Sequence, residues 1–154
     1  MRVLFVCHGN TCRSPAAEAL VRKIASENGL ALHLDSAGIS ADRLGAPATS
    51  AMQKIALAAG YDLGGLQARQ VTTADYSDFD LMIGMDKSVV SALKVNLAEG
   101  AEIKITGFTD FCAQDAPDEI VDPWHTGDYS AAFALIHSAA RAFVACVKAD
   151  QLRQ

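Results

Sequence analysis

A cysteine, an arginine and a serine stand close together in Cys7-His8-Gly9-Asn10-Thr11-Cys12-Arg13-Ser14-Pro15, directly after the apolar run Val3-Leu4-Phe5-Val6. The apolar run predicts a strand and Ser14-Pro15 a helix start, so the Cys7 sulfur is placed where a strand gives way to a helix. The first N–H groups of a helix are unpaired and carry partial positive charge, which makes such a junction a site for an anion. Successive amides curled through Gly9, Asn10, Thr11 and Cys12 form a nest for the same anion. Gly9 lets backbone come close to a ligand, and Asn10 is a residue type that tolerates the left-handed conformation. Ser14 is predicted as the N-cap and Pro15 as the first helical residue. Arg13 and the helix end favour the thiolate form of Cys7. The planar fork of Arg13 can also grip two phosphoryl oxygens and follow their charge into a transition state.

Attack by sulfur on a phosphoryl ester needs a proton for the leaving oxygen. Hydrolysis of the resulting phosphocysteine then needs a base to take a proton from water. One carboxyl group can serve both steps, and Asp122 is the candidate. Pro123 biases it to an extended backbone and removes a competing donor, which fixes the direction of the carboxyl group. Trp124 follows, a planar ring suited to an aryl phosphate. Ser14 has a second predicted task compatible with capping, the donation of its hydroxyl to the Cys7 sulfur.

Val6-Cys7-x-Gly9-Asn10-x-Cys12-Arg13-Ser14-Pro15 near the N-terminus resembles the phosphate loop of the low-molecular-weight protein tyrosine phosphatases. Asp35-Ser36-Ala37-Gly38, Ala68-Arg69-Gln70, the stretch from Asp80 to Asp86, and Val121-Asp122-Pro123-Trp124 resemble later segments of that family in the same order. The resemblance implies a phosphatase acting on phosphotyrosine protein or aryl phosphates, with no cofactor and no metal, as a monomer. It implies that His8, Gly9, Asn10, Thr11 and Cys12 line the phosphate, that Ser36 holds Asn10, and that Arg69 and Asp86 support the loop. On residue type alone, Arg69 reads as a surface ion-pair partner and Asp86 as a helix cap. Cys12 is implied to form a protective disulfide with Cys7 on oxidation; a buried inert thiol is an equal reading. Cys112 and Cys146 read as core residues.

Three positions depart from the family pattern. His8 brings an imidazole into the loop, where its backbone N–H can still do the work. Asp42, followed by Arg43, stands on the pocket wall where relatives often carry an aromatic ring, which implies weaker selectivity for phosphotyrosine peptides. His125 follows Trp124 where some relatives have a second aromatic residue. An arsenate reductase of the same fold would need further cysteines, and the segment from Ile83 to Leu97 has none.

The 154 residues, 51% apolar and 20% charged, suit one domain over 1–154. A net charge of −5 without a basic stripe argues against nucleic acid or an anionic membrane as partner. No signal segment is legible and no apolar run reads as membrane-spanning. Four cysteines, two of them inside the loop, predict a cytoplasmic thiol protein rather than a disulfide framework. Helical periodicity is expected over 15–28, 47–59 and 128–147, with a helix opening at Asp86 and a short turn over 72–77. Strands are expected over 3–6, 31–34, 80–85 and 103–106. Their alternation with helices predicts an α/β fold, a four-stranded parallel sheet with helices on both faces and the phosphate loop after the first strand. The long irregular stretch 110–125 is expected to be functional.

Overall fold

Val3 to Val6 are fully buried, as a central parallel strand covered on both faces must be. In the computed structural model, which describes residues 1–151 and 153, this run is β1 (Arg2–Cys7). It lies between β2 (His33–Gly38) and β3 (Leu81–Gly84), with β4 (Lys104–Gly107) outside β3. All three pairings are parallel in the order β2-β1-β3-β4, and the four-stranded parallel sheet is the one read from the sequence.

The chain leaves β1 for β2 on one side and later returns to place β3 on the other. Right-handed crossovers in opposite directions put their helices on opposite faces. Helix α1 (Arg13–Glu27), between β1 and β2, packs with the long C-terminal α6 (Tyr129–Gln151) on the first face. There Phe5 meets Phe108 and Phe143 edge to face, with ring centroids 5.3 and 6.2 Å apart. Helix α4 (Lys87–Val95) joins β3 to β4 and packs on the second face, where Val89 and Leu93 cover Leu4, Val6 and Met82. Helices α2 (Ser50–Ala58) and α3 (Asp75–Asp78) lie in the long connection from β2 to β3. By length and hydropathy α6 meets the measure of a spanning helix, contrary to the sequence reading. In the fold it supplies Phe133, Ile136, Ala140, Phe143 and Val144 to the core.

The direction of the chain reverses around β1, so a crevice opens beyond the C-terminal ends of β1 and β3. Cys7 is the last residue of β1 and faces Gly38 in the register of β2. β2 extends four residues past its predicted end at Leu34, because Asp35-Ser36-Ala37-Gly38 pairs with Leu4 to Cys7. The irregular stretch is bounded by a 3₁₀ turn (Phe108–Phe111) and a helical turn, α5 (Pro123–Thr126), neither foreseen because each is too short for periodicity. Cys112 is half-buried and Cys146 exposed, so Cys146 is no core residue: its position on α6 faces solvent.

Candidate active site

Helix α1 begins at Arg13, and the N-cap position belongs to Cys12, without a side-chain cap. Ser14, read as the cap, already lies in the first turn. Its hydroxyl serves the second task read for it, turned inward 3.0 Å from Cys7 Sγ, and accepts a hydrogen bond from Asn10 Nδ2 at 2.9 Å. The Asn10 amide N–H donates to Cys7 Sγ at 3.2 Å. Cys7 is 2% exposed, and its sulfur is met by the Ser14 hydroxyl and the Asn10 amide at the floor of the crevice.

Asn10 has φ of +55°, the one non-glycine residue with positive φ among the described residues. That conformation costs most L-residues about 1–2 kcal/mol, and the Asn10 side chain offsets it with hydrogen bonds. Nδ2 donates to Ser14 and to Ser36 Oγ at 3.1 Å, while Oδ1 accepts from the Arg69 amide at 2.9 Å. The Asn10 side chain therefore holds the loop from behind, turned away from the pocket that its loop neighbours line. Ser36 holds it, as the resemblance implied.

Behind Ser36 stands Glu18, a buried carboxylate that sequence reasoning missed. Ser36 Oγ donates to Glu18 Oε2 at 2.7 Å, and Arg22 donates to Oε1 at 2.7 Å. A carboxylate accepts from Ser36, while the Asn10 amide is oriented by its Oδ1 accepting from the Arg69 N–H and so turns its donor Nδ2 to both serines. Ser36 donates to Glu18 and so accepts from Asn10. Asn10 donates to Ser14, which leaves the Ser14 hydroxyl proton for the Cys7 sulfur at 3.0 Å or, more distantly, the Ala37 carbonyl at 3.4 Å. The only legible hint was a glutamate one helical turn beyond Ser14, on the buried side of α1.

Arg13 is almost completely buried. Its Nη1 donates to Asp86 Oδ2 at 2.6 Å and to the Ile120 carbonyl at 2.8 Å, and Nη2 lies 3.3 Å from Asp122 Oδ2. Burial alone would lower its pKa; the Cys7 sulfur, Asp86 and Asp122 more than offset this and raise it above the ordinary value. Asp86 has both tasks proposed for it, since its other oxygen caps α4 by accepting from the Val89 amide at 2.8 Å. Asp122 is extended (φ −65°, ψ 116°) before Pro123 and caps α5 through the Trp124 amide at 3.0 Å. One oxygen is fixed by that cap and the other faces Arg13 and the pocket.

The pocket above Cys7 encloses about 310 Å³. Cys7, His8, Gly9, Thr11, Cys12, Arg13, Asp42, Asp122 and Trp124 line it, as expected, together with Ser40, Arg43, Thr49, His125 and Tyr129. Ser14, Ser36, Arg69 and Asp86 stand behind it. Arg69 pairs with Asp35 at 2.8 Å and Asp75 at 3.0 Å, so it touches the loop through its backbone only. Burial pushes the Cys12 thiol up to about 12. Thr49 Oγ1, which makes no well-formed hydrogen bond among the described residues, lowers it in part through its contact with Cys12. Cys12 is thus a neutral thiol near pH 7 and no competing nucleophile.

Residues 2–153 match the family model described as low molecular weight phosphotyrosine protein phosphatase. The chain belongs to this family. Among its low molecular weight phosphatase relatives is the low molecular weight protein-tyrosine-phosphatase YfkJ of Bacillus subtilis, 33% identical over 151 residues and 97% of each chain. The crystal structure of YfkJ superimposes with a TM-score of 0.92 over 97% of this chain and 96% of that one. The protein tyrosine phosphatase of Entamoeba histolytica, solved with Hepes in its active site, is 30% identical, with a TM-score of 0.91 over 98% and 99% of the chains. A Drosophila structure described as an arginine phosphatase is 28% identical, with a TM-score of 0.88 over 96% and 98%. Low molecular weight phosphatase chemistry is cysteine-based throughout the family, and the loop around Cys7 is where this chain carries the required groups.

Proposed function

We propose that this phosphatase hydrolyses phosphotyrosine in proteins, and simple aryl phosphates, through a phosphocysteine on Cys7. The phosphoryl group sits against the loop amides from His8 to Arg13 and the guanidinium of Arg13. Cys7 Sγ attacks phosphorus, the bond from phosphorus to the phenolic oxygen breaks, and that oxygen leaves with the electron pair and a proton from Asp122. Water then attacks phosphorus and gives its proton to Asp122. The P–S bond breaks, its electrons return to sulfur, and the Ser14 hydroxyl stabilises the departing thiolate. No step calls for a cofactor or a metal. The observation that carries this reading is the Cys7 sulfur 3.0 Å from Ser14 Oγ, below Arg13 and Asp122 in one pocket. Rapid quenching with ³²P-labelled aryl phosphate is expected to trap label on Cys7 and none on Cys7→Ser; label-free enzyme that still turns over would refute the covalent route.

A second reading has its own support. Asp42 and Asp122 both line the pocket, where two carboxylates suit a guanidinium leaving group, and the Drosophila relative is described as an arginine phosphatase. Comparing kcat/KM for phosphotyrosyl and phosphoarginyl versions of one peptide decides between them.

A further inference from the structure

Arg43 is exposed, yet it is held. Its guanidinium carbon lies 5.5 Å from the centroid of the Trp124 ring, within cation–π range. Its Cγ lies 3.6 Å from the point a side chain on Gly9 would occupy, so the aliphatic stem crosses the phosphate loop. The loop that carries it is tied down on both sides. The Ser40 amide donates to the His8 carbonyl at 2.9 Å, and the Gly45 amide donates to the Ala68 carbonyl at 2.8 Å. Arg43 thus spans the pocket mouth from the phosphate loop to the Trp124 lip.

Among the described residues this guanidinium has neither an ion pair nor a hydrogen bond; Asp42, its chain neighbour, shares the rim without pairing with it. A surface arginine with no partner is ordinarily mobile. Here stacking on Trp124 removes much of that freedom while leaving the N–H donors of the fork unspent. A pre-placed cation with free donors, one side chain's width from the phosphoryl site, is a receptor for a second anion on the substrate.

We propose that Arg43 is a specificity-determining residue that binds an Asp or Glu carboxylate beside the phosphorylated residue, so that the enzyme selects acidic phosphorylated segments. This rests on the phosphatase reading above. Consecutive residues of a peptide are 3.80 Å apart at Cα, so with the phosphorylated side chain in the pocket its chain neighbours pass over the mouth where Arg43 lies. The net charge of −5 gives no general attraction for an acidic segment, which leaves the choice to this local contact.

The test is a pair of phosphotyrosyl peptides with Glu or isosteric Gln on both sides of the phosphorylated residue, compared by kcat/KM within each enzyme. The wild type is expected to favour the Glu peptide by about fivefold at low salt, the upper range for an exposed ion pair, and less as salt is added. The ratio is expected to approach one in Arg43→Ala and to fall below one in Arg43→Glu. A wild-type ratio of one, or a ratio that Arg43→Glu leaves unchanged, overturns the proposal while p-nitrophenyl phosphate is still hydrolysed. Failure of the wild type on both peptides and on p-nitrophenyl phosphate overturns the catalytic reading, and this proposal with it.

Discussion

The direction of the hydrogen-bond chain from Glu18 through Ser36, Asn10 and Ser14 to Cys7 turns four polar side chains into one device that delivers a donor to sulfur. Ser14→Ala removes that donor and leaves the loop otherwise tied by Asn10. A hydrogen bond to a charged group contributes about 1.5–3 kcal/mol, so kcat is expected to fall roughly ten- to a hundredfold. The loss falls on breakdown of the phosphoenzyme, where sulfur leaves, and phosphocysteine is expected to accumulate in quenched samples. Asp122→Asn keeps the helical cap but not the proton, and is expected to lower kcat about a hundredfold or more, the general range for acid–base catalysis. Binding of vanadate, measured by the quenching of Trp124 fluorescence, is expected to change little. An equal loss in both would exclude Asp122 as the acid. Glu18→Gln removes the buried charge that accepts from Ser36 and Arg22; about 1–3 kcal/mol of stability is expected to be lost in urea unfolding.

The ends of the strands decide where these side chains stand. Gly38 ends β2 beside Cys7, and a Cβ there would come 2.9 Å from the His8 carbonyl oxygen and 3.1 Å from the Asn10 nitrogen. Both are phosphate-loop backbone, which cannot swing aside as a side chain can. Gly38→Ala is therefore expected to displace the loop by several tenths of an ångström. It is expected to lower kcat/KM by about tenfold or more, since misplacement by 1 Å costs on the order of a hundredfold. Gly84, at the end of β3, would instead meet Val90 Cγ2 at 2.7 Å and the Val90 nitrogen at 3.1 Å. Gly84→Ala thus overpacks the β3–α4 contact, and the expected outcome is about 1–3 kcal/mol less stability by urea unfolding. A Gly84 variant as stable as the wild type would mean that α4 moves more freely than its buried Val89 and Leu93 imply.

Over the whole molecule, two carboxylates, Asp75 in its own turn and Asp80 paired with Arg2 at the start of β1, shape the response to acid. Burial works against the Asp75 carboxylate, but hydrogen bonds from Arg69 and the Thr72 amide outweigh it and lower its pKa. The side-chain and backbone hydrogen bonds of Arg2 bring exposed Asp80 from its ordinary 3.8 to about 2. A carboxylate with a depressed folded-state pKa stabilises the fold above its unfolded value, and the stabilisation is lost as pH falls through the folded value. The urea midpoint is therefore expected to drop as pH falls from about 4 towards 2. In Asp75→Asn, stability at neutral pH is expected to be lower and the acid slope shallower. An unchanged slope would show that the link from Arg69 to Asp75 carries no weight.

The sequence determined the parallel sheet and the phosphate loop that holds Cys7 and Arg13, because those features are local; Asp122 and Trp124 were joined to them by the resemblance to the family, since an Asp-Pro pair by itself is a common turn. A fully apolar strand, a glycine-asparagine turn and an Asp-Pro pair each impose their geometry on a few adjacent residues. It also placed the Asp86 cap of α4 correctly, for the same reason. What the tertiary structure decided was which partner each polar group found. Of the two tasks readable for Ser14, the fold keeps the contact with sulfur and not the cap, because α1 begins at Arg13 and places Ser14 inside the first turn. The Asn10 side chain braces the loop from behind through Ser36 and the Arg69 amide, partners 26 and 59 residues away along the chain. Glu18, Thr49 and the Ile120 carbonyl enter the site from elements whose spacing along the chain says nothing of their distance in space. Arg43 reaches Trp124 across 81 residues of sequence only because the crevice at the reversal of strand order brings the two rim loops face to face.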